Sequence, residues 1–165
     1  MAVEIERKFL VRGNQWQKLT TSEARVRQAY LASGQHSSTR VRITDNQKAT
    51  VTIKSRRAAL SRVEVECAVS VADAEQLMEL REGGLIEKTR WTVPFGAHVW
   101  EVDVFSGDNA GLVIAEIELD DEREAFEQPS WLGIEVTGQG QYYNGSLARH
   151  PYGRWIATQS VLRAS

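Results

Sequence analysis

Cysteine is almost missing from this chain: Cys67 is the only one in 165 residues. No intramolecular disulfide can form, which excludes a disulfide-stapled secreted scaffold. Histidine is sparse too, and His36, His98 and His150 stand apart with no thiolate cluster beside them, so a zinc site is not expected. No apolar run approaches the roughly 20 residues of a membrane-spanning helix. The opening Met-Ala-Val-Glu-Ile-Glu-Arg-Lys is charged from its fourth residue and is unlike a signal peptide. An excess of one charge is also lacking. Lys+Arg total 20 against 22 Asp+Glu, a net charge of −2, which argues against a nucleic-acid or anionic-membrane partner. The expected setting is the cytoplasm. Phosphate-cradling Gly-rich loops of the Gly-x-x-x-x-Gly-Lys and Gly-x-Gly-x-x-Gly kinds are absent, as is a Gly-x-Ser-x-Gly elbow; Gly138-Gln139-Gly140 reads as a turn.

What is present is a globular composition, 42% hydrophobic and 25% charged, of a length that suits one domain over 1–165. Helical patterning is limited to 73–82, with Asp73 as a candidate cap and Gly83-Gly84 as a stop, and to shorter stretches at 14–19, 121–127 and 142–149. Strand patterning dominates, over 3–11, 24–32, 39–45, 48–55, 62–71, 86–95, 98–105, 112–120 and 133–137. Asp45-Asn46-Gln47-Lys48 and Phe95-Gly96-Ala97 read as hairpin turns. So many short strands point to a closed sheet or a sandwich.

The alternation within these strands is informative, because residues two apart share a face. Glu4, Glu6 and Lys8 oppose Ile5; Arg40 and Arg42 oppose Val41 and Ile43; Thr50, Thr52 and Lys54 oppose Val51 and Ile53. Arg62, Glu64 and Glu66 oppose Val63 and Val65, and Lys88 and Arg90 oppose Trp91. Glu101 and Asp103 oppose Val102 and Val104, and Glu116 and Glu118 oppose Ile117 and Leu119. Charged faces turned to water over an apolar core would explain each strand singly. Taken together, the faces are rich in full charges rather than Thr or Gln, and the signs are segregated by strand. Turned inward around a barrel lumen, they would build a site too costly to leave dry and unpaired. Arg and Lys suit phosphate oxygens, and carboxylates two apart on a strand suit Mg²⁺ or Mn²⁺. Phosphoryl or nucleotidyl transfer is the natural chemistry of such a pairing.

Glu4-Ile5-Glu6-Arg7-Lys8 resembles the Glu-x-Glu-x-Lys signature of the CYTH superfamily, the triphosphate tunnel metalloenzymes. The resemblance continues in order through Gln28-Ala29-Tyr30-Leu31, Arg40-Val41-Arg42, Thr52-Ile53-Lys54, Glu64-Val65-Glu66, Lys88-Thr89-Arg90, Trp100 to Phe105 and Glu116-Ile117-Glu118. It implies a mainly β fold: a closed antiparallel eight-stranded barrel forming a tunnel, with helices packed outside and a C-terminal helix near one mouth. The short tunnel enzymes that cleave inorganic triphosphate are the members it resembles at Tyr30.

By this resemblance, Lys8, Arg40, Arg42, Lys54, Lys88 and Arg90 grip the triphosphate, and Arg62 either joins them or pairs with a carboxylate. Glu4, Glu6, Glu116 and Glu118 hold a first Mg²⁺ or Mn²⁺. Glu64, Glu66 and Asp103 hold a second or orient the water, and Glu101 is a wall residue or counter-ion. Tyr30 beside Lys8 would have a depressed pKa and share a proton, unless its hydroxyl merely orients a phosphate. The expected reaction is metal-dependent hydrolysis of tripolyphosphate to diphosphate and phosphate. Class IV adenylyl cyclase activity, thiamine or nucleoside triphosphate hydrolysis, and a non-catalytic polyphosphate-binding module are the alternatives. Whether the chain acts alone or as a homodimer is left open.

Overall fold

The computed structural model describes residues 5–55 and 64–155. Every segment read as a strand from its alternation contains one: β1 (Ile5–Val11), β2 (Ser22–Ser33), β3 (Ser37–Thr44), β4 (Lys48–Ser55), β5 (Glu64–Val69), β6 (Ile86–Phe95), β7 (His98–Phe105), β8 (Val113–Leu119) and β9 (Leu132–Glu135). They form one antiparallel sheet in the order β5-β4-β3-β2-β6-β7-β8-β1-β9. This corrects the expected closed eight-stranded barrel. The sheet has nine strands and is not closed, because the short β9 takes the free edge of β1 and leaves β5 as the opposite edge. The turn between β3 and β4 is formed as expected, with Asp45 and Asn46 both left-handed at φ 53° and 55°.

Among the described residues, helices α1 (Val71–Glu79) and α2 (Asn144–Arg149) accompany the sheet, and 152–155 are helical as well. Ser70, not Asp73, caps α1: its Oγ accepts from the Asp73 N–H at 3.0 Å and donates to the Asp73 carboxylate at 2.6 Å. The stretch 14–19 winds as a single 3₁₀ segment, Gln15–Leu19. The helix expected over 121–127 does not form. There Asp121 Oδ1 accepts from the Arg123 N–H (2.8 Å) and Glu124 Oε2 from the Asp120 N–H (2.6 Å), so side chains satisfy the backbone locally and compete with the helix. No helix among the described residues is long and apolar enough to cross a membrane.

The apolar strand faces point outward and are buried over much of the sheet, though Ile53 on β4 and Val65 on β5 stay exposed. Ala29, Val41, Ile43 and Ala49 on β2–β4 pack under Ala74 and Met78 of α1. On the other half, Phe9, Val93, Trp100, Val102, Ala115 and Ile117 are covered by Trp16 and Trp131, with Phe126 packed edge-on against Phe9 and Trp100. The inner face is charged in its middle and apolar at one end, where Ile86, Phe105, Leu112 and Ile114 meet Leu147 and Ala148 of α2. Gly83 permits this closure. It lies at φ +82°, a Cβ there would come within 2.7 Å of the Ala148 carbonyl, and the neighbouring Gly84 N–H donates to that same oxygen at 2.6 Å. α2 therefore packs over the apolar end of the inner face.

Candidate active site

Antiparallel register brings the charged faces into ranks. Glu6 stands opposite Glu118 and Lys8 opposite Glu116 on the β1–β8 ladder, Glu101 opposite Glu116 on β7–β8, and Arg90 opposite Asp103 on β6–β7. Across the sheet, Arg40 faces Thr52, Thr52 faces Glu66, and Lys54 faces Glu64. Side chains paired in this way lie about 5 Å apart at Cβ. The sheet curves enough for strands from β1 to β8 to share one cavity of about 470 Å³, lined by Glu6, Lys8, Arg40, Arg42, Lys54, Glu64, Glu66, Arg90, Glu101, Glu116 and Glu118, with Asn144 of α2 at its rim. A second chamber of about 600 Å³ shares Glu6, Lys8, Arg40, Lys54 and Asn144, and adds Tyr30, Tyr143 and the hydroxyls of Ser38, Thr52, Ser55 and Thr137. The inward orientation expected of the charges is the one observed.

One side of the cavity is an interlocked set of ion pairs. Arg90 donates to Asp103 through Nε and Nη2, both at 2.7 Å, to Glu116 at 2.7 Å, and to Glu101. Lys8 bridges Glu6 and Glu116. Lys88 pairs with Asp103 behind this layer; their side chains are 0% and 1% exposed. Burial alone would raise the Asp103 pKa, but Lys88 and Arg90 overcome it and hold the carboxyl down at about 2. Glu6 moves the other way: burial first, then the neighbouring Glu116 charge, push it above its ordinary value despite Lys8. Glu101 is likewise raised, chiefly by burial and then by the charges of Asp103, Glu116 and Glu118 against the pull of Arg90.

The opposite side is built differently. Arg42 donates through Nε and Nη2 to the side-chain oxygen of Gln28, at 3.2 and 3.0 Å. Arg40 donates through Nη2 to Thr52 Oγ1 at 3.2 Å, while its buried Nε has no hydrogen-bond partner. Burial, followed by the charges of Arg40 and Arg90, lowers the Arg42 pKa to about 10. Lys54, further out, pairs with Glu64 at 2.8 Å.

Among the residues expected at the site, Glu4 and Arg62 lie outside the described residues. Lys8, Arg40, Arg42, Lys54, Glu64, Glu66, Arg90, Glu116 and Glu118 all line the cavity. Lys88 and Asp103 do not; they are spent on one another beneath its wall. Tyr30 lines the second chamber, but the depressed pKa expected from Lys8 is not found. Burial raises it and outweighs Arg40, Arg42, Lys8 and Arg149, so the phenol keeps its proton. Sequence reasoning passed over Gln28, Thr52 and Asn144 as site residues. The Thr52–Arg40 pairing follows from counting outward from the 45–46 turn, so a signal for it was there.

Among the described residues, no group of three or more His, Cys, Asp or Glu side chains is gathered as a ready metal site. The donor chemistry nevertheless fits a hard cation. Glu6 and Glu118 are facing carboxylates and Glu116 lies beside them, three hard oxygen donors on two adjacent strands.

A single antiparallel sheet whose concave face joins bare arginines to clustered carboxylates defines a class of protein built to hold a polyanion together with cations. The chain matches the CYTH domain family over residues 2–152 and belongs to that family. It is 42% identical over 153 residues to a protein of Acetivibrio thermocellus named inorganic triphosphatase, covering 92% of this chain and 97% of that one. It is 37% identical over 152 residues to an inorganic triphosphatase of Nitrosomonas europaea, covering 88% and 96%. The crystal structure of the inorganic triphosphatase NE1496 matches with a TM-score of 0.69 at 32% identity, over 90% of this chain and 95% of that chain.

Proposed function

We propose that this protein hydrolyses inorganic triphosphate to diphosphate and phosphate with the aid of Mg²⁺ or Mn²⁺. The observation that carries this reading is the division of one cavity of about 470 Å³ into a side where Arg40 and Arg42 have no carboxylate partner among the described residues and a side crowded with Glu6, Glu101, Glu116 and Glu118. A polyphosphate chain offers the arginines the anion they lack. The named relatives support the choice of substrate.

In this reading Arg40 and Arg42 grip the phosphates by forked hydrogen bonds, with Lys8, Lys54 and Arg90 adding charge along the chain. Glu6, Glu116 and Glu118 would hold a divalent ion jointly with phosphate oxygens, and Glu64 and Glu66 a second one. Such an ion, when bound, withdraws negative charge from the phosphate it touches. Lys88 and Asp103 act behind the wall: Asp103 fixes the Arg90 guanidinium, and Lys88 keeps Asp103 compensated. Tyr30, protonated, orients a phosphate oxygen as a donor instead of serving as the base. Water attacks the terminal phosphorus in line, the bond to the bridging oxygen breaks, and diphosphate departs with that oxygen. Lys8, at the centre of the carboxylates, stabilises the charge that develops on the transferred group.

The test is to incubate the purified protein with tripolyphosphate and Mg²⁺ or Mn²⁺ and with ATP in parallel. Equimolar phosphate and diphosphate from tripolyphosphate is expected. Cyclic AMP as the main product from ATP, or no cleavage of tripolyphosphate with either metal, would overturn the reading. We further place the protein in the cytoplasm, which suits an exposed Cys67 left as a free thiol.

A further inference from the structure

We propose that Gln28 is a positioning residue: it fixes the Arg42 guanidinium at the cavity wall through an uncharged acceptor, so that the arginine is ordered while its charge stays available to an anion. This role rests on the triphosphate reading above and specifies how the substrate's anionic end is received.

Gln28 is 0% exposed and lines neither chamber, so it cannot itself touch a ligand. It sits on β2 directly opposite Arg42 on β3. The amide orientation is dictated by its neighbours: two guanidinium N–H groups converge on Oε1, and a reversed amide would aim donors at donors. The amide nitrogen is left to face Tyr30 Oη, at 3.4 Å. Gln28 thereby ties Arg42 to Tyr30, the two residues reaching the wall from adjacent strands.

The choice of an amide is the informative part. Every other described cation of the cavity except Arg40 is held by a carboxylate: Arg90 by Asp103, Glu101 and Glu116, Lys8 by Glu6 and Glu116, Lys54 by Glu64. Glutamate has nearly the same shape as glutamine and would relieve the cost of burying the Arg42 charge. The chain carries the amide instead, and the Arg42 guanidinium keeps both of its hydrogen bonds on an uncharged oxygen. Arg40 is handled in the same manner: its neutral acceptor is Thr52, 1% exposed, whose hydroxyl passes on to Glu66 at 3.0 Å, and Arg40 Nε remains unpartnered. Among the described residues, Arg40 and Arg42 are thus braced by neutral acceptors, with Glu66 held one hydrogen bond further off by Thr52, while Arg90 and Lys8 are braced by carboxylates.

The test compares wild type, Gln28→Glu and Gln28→Met in thermal melts and in calorimetric titration with tripolyphosphate in EDTA, where no metal contributes. Gln28→Glu should melt at or above the wild-type temperature yet bind at least about tenfold more weakly, because the new carboxylate competes for Arg42. With metal added, its KM should rise by more than its kcat falls. A residue with a merely structural role predicts the reverse: an isosteric, hydrogen-bonded glutamate that melts normally and binds as wild type, and that outcome overturns the proposal. Gln28→Met keeps the volume without acceptor or charge and should bind at least about threefold more weakly. Wild-type affinity in folded Gln28→Met overturns the role even if Gln28→Glu cannot be purified. Failure of the wild-type protein to bind tripolyphosphate would instead refute the triphosphate reading, and this role with it.

Discussion

Arg90 holds Asp103 through two parallel hydrogen bonds, Nε to Oδ1 and Nη2 to Oδ2, each 2.7 Å long. Asp103 also takes Lys88 from behind, so this carboxylate compensates two cations at once. Its neutralisation would leave the buried Lys88 without its carboxylate and cost Arg90 one of its three. Asp103→Asn is therefore expected to destabilise the protein by about 3–5 kcal/mol in urea denaturation, the usual cost of breaking a buried ion pair on one side. A change below about 1 kcal/mol would show that the cluster contributes little to folding.

The same group sets an acid limit. Its folded pKa, about 2, lies below the ordinary value of 3.8, so its contribution is fully present above pH 3.8 and is lost as pH falls through about 2. That shift corresponds to roughly 2 kcal/mol. Stability of the wild type should fall between pH 4 and pH 2, and Asp103→Asn should show a shallower fall across that window. Parallel pH profiles of denaturation midpoints would contradict this assignment.

Glu6 and Glu118 face each other on the β1–β8 ladder, and burial followed by the Glu116 charge raises the Glu6 pKa. Changing either to Gln should raise the Mg²⁺ or Mn²⁺ concentration for half-maximal triphosphate hydrolysis by at least about tenfold, since even outer-shell changes reach that size. The same variants should melt near the wild-type temperature, Glu6→Gln at or above it. An unaltered metal titration would remove both residues from the proposed metal site.

Arg40→Ala deletes a half-buried, cavity-lining guanidinium whose buried Nε has no hydrogen-bond partner among the described residues. If that group contacts substrate phosphate, kcat/KM should fall by about 2–4 kcal/mol of transition-state stabilisation. Steady-state kinetics at saturating metal would measure it.

Gly133 tests β9 independently of catalysis. A Cβ at this position would come within 2.8 Å of the Leu10 carbonyl oxygen and 3.2 Å of its carbon. Gly133→Ala should push β9 away from β1 and lower stability by about 1–3 kcal/mol, the range of an overpacked site. Faster amide exchange should appear at Arg12 and Val136, whose N–H groups bond to the Trp131 and Lys8 carbonyls.

Much of this was legible before any coordinates. Period-two alternation located all nine strands and separated a charged face from an apolar one, as where Arg40 and Arg42 alternate with Val41 and Ile43; it was the family resemblance that said which face turns inward. Three things were not legible. Strand order and closure depend on which edge β9 occupies, a long-range matter that four residues of alternation do not encode. The Lys88–Asp103 pair reads in sequence like any other inward charge; only depth distinguishes it from Lys8 or Glu116. Gln28 was hidden by the register shift between Tyr30 and Ala32, which breaks the count linking β2 to β3 and so conceals that residue 28 stands against Arg42.

The tight reversal at Asp45 and Asn46 governs more than a corner. Its two left-handed residues allow the ribbon to double back in one alignment, Thr44 against Lys48, and every rung beyond inherits that phase. One inserted residue there would roll β4 by half a turn, swinging Thr52 and Lys54 to the outside and bringing Val51 and Ile53 into the wet hollow. Chemistry in this molecule is thus hostage to a bend that no substrate touches.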